Sequence, residues 1–444
     1  MSTVDAFGLP VTLEHPGSLA RLNDFIEGFV ACEARVVNVL ELAPVDRGPM
    51  VQACCAALHL FAETGDASAQ ARPFIKAALR SPLPATAREQ LFVQAVAAWV
   101  DGDLPRAIAL HAQLAREHPR DLAAVKLGQY HLFNRGDAPG MLRLALAARP
   151  ACADLPWFHG MQAFALEQCH LIADAEAAAR RAIALRHAEP WAHHALAHVM
   201  LTQGRLAEGR DFMASVSSTW TGLNSFMVTH NWWHLALFAL DLDDADAVLR
   251  LYDTQVWGVE KAYSQDQVGA ISLLARLELA GVDVGRRWDD VAAHVAARGR
   301  DHVNAFLDLQ YLYALGRAGH PAADLRLAQI IEHAATAAPH DAPTWRQVAV
   351  PAARGLLTHA RGNMGTAVQD LGLALPRLAA IGGSHAQRDL FAQIHLDALM
   401  RDGHWVAAQD LLQRQCNAAP ESRRLARLAG QAYSALGLDR RDWS

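Results

Sequence analysis

His194 and His198, and again His230 and His234, stand four residues apart in a chain of 444 residues. On an α-helix that interval sets two imidazoles one turn apart on a single face. Paired this way, they could hold a metal ion or act as acid and base on a substrate. The glutamate that completes H-E-x-x-H is missing: Ala195, Leu196 and Ala197 separate one pair, and Asn231, Trp232 and Trp233 the other. Catalytic zinc usually takes three protein ligands and leaves a position for water. His194, His198, His230 and His234 are therefore candidate ligands for a divalent metal. His194, His198 and His230, with Glu167, are candidates for acid–base work. The plainer alternative stays open, because a chain with 22 histidines contains some four-residue pairs by chance and buried histidines are ordinarily packed and hydrogen-bonded.

The elements that would position these rings are helices. Alanine, leucine, arginine and glutamate dominate, turn residues recur every dozen or so positions, and alternating β-branched runs are scarce. Gly102, Gly136, His170 and Gly204 follow one another at intervals of 34 residues, the tetratricopeptide period. Each marks a tight reversal at the end of a first helix, where glycine accepts a left-handed backbone and His170 tolerates it at modest strain. Ala107, Ala175 and Gly209, five residues beyond three of these turns, are small enough for close helix approach. The next turn, at Asp243, comes 39 residues after Gly204, and the excess is assigned to the loop at 218–224. Looser units are read at 20–84, from Phe306 through Gly319, at 354–376 and at 396–420. The expectation is an all-α solenoid of tetratricopeptide type, curving towards closure, because no single unit can bury its own apolar face. Three stretches are distinguished: degenerate repeats at 1–85, regular repeats at 86–255 and degenerate repeats at 256–444.

In this repeat class, positions 2, 5, 9, 12 and 13 of each first helix face the concave groove. Counting back from the turns, the groove receives Lys126, Tyr130, Phe133 and Asn134, then Trp157, Gly160, Phe164, Glu167 and Gln168. It next receives Trp191, His194 and His198, then His230 and Trp233, with His234 one step round. Tryptophans there would wall a binding pocket, Gly160 would leave room in it, and Trp232 would belong to the core.

A net charge of -6 argues against nucleic acid, which needs a basic stripe. Arg423, Arg424 and Arg427 are read as a solvated helix face. Cys32, Cys54, Cys55, Cys152, Cys169 and Cys416 make no C-x-x-C pair, so buried reduced thiols are expected. Residues 1–10 lack a signal-peptide pattern and no long apolar window occurs, so the expectation is a cytoplasmic protein without membrane attachment. Neither G-x-S-x-G, G-x-G-x-x-G nor a Walker loop is present, so nucleotide and nicotinamide cofactors are not expected.

The stretches HGMQAFALEQ, WAHHALAHVMLTQGRLAEG and THNWWHLALFALDLDDADAVLRLYD, between Trp157 and Asp253, followed by IGGSHAQRDLF at 381–391, resemble the tetratricopeptide repeat protein 38 family. The resemblance implies helical-repeat architecture and a pocket around the matched histidines and tryptophans, with no particular reaction. Two departures concern possible chemistry. Gly269 stands where the family pattern carries an acidic residue ahead of Ser272, Leu273 and Leu274. Gln310 stands where it carries histidine, after Phe306 and Asp308. Ser384 and Gln387 fit a capping box, while His385 and Arg388 are either local or an anion clamp. The functional expectation is a module binding a small molecule or short peptide. The ligand-binding set is Trp157, Gly160, Phe164, Trp191, His194, His198, His230, Trp233, His234 and Arg388. The alternative is a hydrolase, lyase or isomerase. The end near Trp443 lacks an obvious polar closing helix, so a homodimer is a further expectation.

Overall fold

A computed structural model describes residues 3–438, and Trp443 lies outside them. The described residues are helical throughout, with two isolated β-bridges, Val4 to Pro10 and Glu33 to Leu223. The chain divides into two compact units, Met1–Leu196 with Thr219–Met227, and Ala197–Ser218 with Val228–Ser444. The division falls inside the helix Pro190–Thr202. Among the described residues, no helix is long and apolar enough to cross a membrane.

The 34-residue punctuation is visible in the backbone. Gly102, Gly136 and Gly204 have φ of 75°, 69° and 67°, and His170 and Asp243 adopt the same left-handed form at 59° and 68°. An aspartate often follows the turn and caps the next helix. Asp103, Asp137 and Asp244 accept the backbone N–H of Arg106, Gly140 and Ala247 at 3.2, 2.8 and 3.0 Å. One residue type thus ends a helix and the next begins one, which keeps the loops short.

In both units, helices consecutive in sequence pack against one another, as stacked hairpins require. Ala107 and Ala175 are fully buried at these contacts. Gly209 is a stricter case: a Cβ there would lie 2.2 Å from the Phe238 ring. In unit 1 the inserted loop is a structural part. Trp220 donates its indole N–H to His193 Nδ1 at 3.2 Å, and Ala34 and Asn224 exchange backbone bonds with Gly222 and Cys32 at 2.8 Å. Cys32, Cys54, Cys55 and Cys152 are buried free thiols.

Unit 2 closes on itself. Glu421 accepts the N–H groups of Leu206 and Ala207, both at 3.0 Å, at the start of the helix Leu206–Val216. Asp241 accepts from Ser422 at 2.8 Å and from Arg424 at 2.9 Å. The expectation of a solvated arginine face fails for Arg424, which is 7% exposed because that carboxylate draws it inward.

Candidate histidine centre

The helix Pro190–Thr202 carries Trp191, His194 and His198, and the helix Ser225–Asp241 carries His230, Trp233 and His234. All four histidines are buried, from 0% exposure at His234 to 7% at His230. One ring nitrogen from each lies within 4.8 Å of the others. His198, His230 and His234 belong to unit 2, and His194 stands one turn earlier on the helix that carries His198. His234 is the hub, with ring centroids 4.5 Å from His198 and 4.9 Å from His230, both edge-on.

Burial sets the charge of these rings. It pushes His230 down to about 3 and His198 well below the usual histidine range, where the neighbouring His230, His385 and Arg388 add to the depression. At neutral pH His198 and His230 are therefore neutral imidazoles. His385 and Arg388 open the helix His385–Arg401. Ser384 and Gln387 form its capping box, at 3.3 and 2.8 Å. Arg388 bonds to the carbonyls of Gly382 and Gly383 and lies 3.2 Å from His385 Nδ1. A buried guanidinium, Arg276, ties this helix to Ser264–Leu279. It donates to Ala386 O at 2.6 Å, contacts Ser272 Oγ and lies 5.4 Å from the Trp233 ring. Burial lowers it to about 10.

The two tryptophans of the His230 helix exchange the places expected for them. Trp233 is 1% exposed and belongs to the core of unit 2, whereas Trp232 is half-buried and packs against that core. The core of unit 2, built with helices far along the chain, closes over Trp233. Gln310 is buried, with Oε1 lacking a hydrogen-bond partner.

Unit 1 gathers the remaining aromatic candidates. Phe164 packs against Phe133, Trp191 and His194 with centroids 5.7, 5.2 and 5.0 Å away. Trp157 is half-buried, its face covered by Arg186 at 5.4 Å. Glu167 is fully buried and accepts from Gln168 Nε2 at 2.6 Å. Tyr130 donates to Glu63 at 2.8 Å. The Lys126 ammonium donates to the carbonyls of Phe29 and Val30 at 2.9 and 2.8 Å and lies 5.0 Å from the Trp191 ring. Gly160 does not leave empty space, because a Cβ there would meet Glu189 Oε2 at 2.6 Å.

Glu189 is the residue that sequence reasoning missed. It is fully buried, caps the backbone N–H of Ala192, and has no hydrogen-bond partner for Oε1. Burial raises its carboxyl to about 7. The signal was available: an acidic residue directly before Pro190 is a helix start, and Gly160 in the preceding unit makes the gap for it.

The fold defines a helical-repeat protein of tetratricopeptide-like type. No protein-family model matches the sequence. Among solved structures the chain is similar to one titled "Structure of Naa15/Naa10 bound to HypK-THB", at 12% identity. The likeness covers 81% of this chain and 69% of that one, with a TM-score of 0.25, and no functional argument is drawn from it.

Proposed function

We propose that this helical-repeat protein holds a divalent transition-metal ion on its histidine cluster and binds a small molecule or short peptide beside it. The supporting observation is the convergence of four buried imidazoles with ring nitrogens within 4.8 Å of one another. Neutral imidazole suits zinc, copper, iron and nickel. The resemblance to the tetratricopeptide repeat protein 38 family, which rests on the stretches carrying these histidines, agrees with ligand binding there.

The enzymatic reading is second. His230 is the most exposed of the four rings, at 7%. If it leaves the metal, water takes its place and is activated for hydrolase, lyase or isomerase chemistry. Elemental analysis of protein purified without an affinity tag tests the proposal. Near-stoichiometric metal that disappears in His198→Ala and His230→Ala is expected. Metal-free protein that stays metal-free after incubation with zinc and desalting would sink the reading.

A further inference from the structure

A second site lies elsewhere in unit 2. A cavity of about 510 Å³ opens between the helices His385–Arg401 and Arg423–Ala435, beside the end of Ser264–Leu279. Gln393, Asp397 and Arg401 step along the first helix at four-residue intervals, and Arg424, Arg427 and Gln431 along the second at intervals of three and four, so each set shares one face. These are the walls of a groove made by two non-consecutive helices.

The charges on those walls are unequal. The two acidic groups are already engaged: Asp397 with His359 at 2.8 Å and Arg401 at 3.3 Å, Glu278 with Arg317 at 2.9 Å. Their partners His359 and Arg317 lie behind the lining. Arg424 and Arg427 pair with Asp241 and Asp243, also outside the lining, through one N–H each at 2.9 and 3.4 Å. A guanidinium has five N–H groups, so the cavity retains charged donors in excess. Gln393 also lines the cavity, its amide nitrogen bonded to Asp389.

We propose that this groove docks an acidic peptide segment of a partner protein. Such a segment offers carboxylates for the exposed guanidinium groups of Arg401 and Arg427. Trp405 and Met400 supply apolar contact for the side chains between them. The proposal is independent of the histidine centre.

The test is fluorescence anisotropy on the full chain with a fluorescein-labelled hexapeptide, Gly-Glu-Leu-Glu-Leu-Glu, and its analogue with glutamine for every glutamate. The glutamate peptide is expected to bind at least about tenfold more tightly than its analogue and to weaken as salt rises. Arg401→Glu and Arg427→Glu, at half-exposed side chains, are each expected to weaken it by at least about tenfold with unchanged circular dichroism. Absence of binding, or binding indifferent to both reversals, overturns the proposal. Displacement of the peptide by an equal concentration of glutarate overturns the peptide in favour of a small anion.

Discussion

His230 and Trp233 lie face to face, with ring centroids 5.1 Å apart and planes within 9°. The other neighbour of that indole is the buried Arg276 guanidinium, 5.4 Å from the ring. The imidazole therefore leans on a core residue that is itself held by a cation, which limits how far the ring can rotate. Replacing Trp233 by leucine should lower metal affinity by more than it lowers the unfolding midpoint. Zinc titration with a competing chelator, beside urea denaturation of the same protein, measures both.

Metal retention should also be insensitive to mild acid. Burial keeps His230 near 3 and His198 far below the ordinary range, so protons compete poorly for these lone pairs between pH 7.5 and 5.5. Metal content after dialysis across that range is expected to be constant. A fall centred near the ordinary histidine pKa, about 6.5, would mean that the rings are open to water.

Acid should destabilise unit 1 through His111 and His193, both held at about 4 by burial. His193 is further fixed as a neutral tautomer, since Nδ1 accepts from Trp220 and Nε2 faces His187 O at 2.8 Å. Their folded values lie below the unfolded value, so the unfolded chain takes up protons first as pH falls. Stability is then fully present above about pH 7 and is lost from about 6.5 towards 4, at up to about 3 kcal/mol per pH unit for the two groups together. Urea midpoints from pH 7.5 to 4.5 measure the slope, and a flat profile would contradict it.

Glu189 works in the opposite sense. Its folded value of about 7 lies above that of an unfolded glutamate, so its contribution is complete below about pH 4.5 and declines as pH rises through 7. Glu189→Gln keeps the cap to Ala192 and removes the buried charge. It should stabilise the protein at pH 8, by up to about 3 kcal/mol, and leave it unchanged at pH 4.5. Paired denaturation curves at the two values decide this.

Gly209→Ala should cost about 2–3 kcal/mol, because the new methyl group meets the buried Phe238 ring and the core cannot yield freely. Phe238→Leu in the same chain should recover part of the loss. Additive losses in the double variant would show that the two positions do not touch.

Much of the architecture was legible because turns are local. A left-handed reversal needs glycine or a tolerant polar residue, so Gly102, Gly136, His170 and Gly204 announced the period before any packing was known. That His194 and His198 share one helix face followed from their four-residue spacing. What sequence could not settle was anything that depended on a distant partner. Arg424 looked like surface because Asp241, which draws it inward, is 183 residues away. Gly160 looked like a gap because the Glu189 carboxylate that fills it comes from the following repeat, 29 residues on. Trp233 looked like groove because the residues that bury it, in the core of unit 2, come from helices far along the chain.

The seal made by Glu421, Asp241 and Arg424 has an evolutionary consequence. An open array can be lengthened or shortened by duplicating or deleting a hairpin, since each hairpin touches only its neighbours. Once the last helices of unit 2 are bonded back to the Leu206 and Asp241 segments, an added or missing hairpin would carry them out of reach. Inserting or deleting a hairpin in this unit should therefore cost these bonds, whereas growth of a loop should leave them intact.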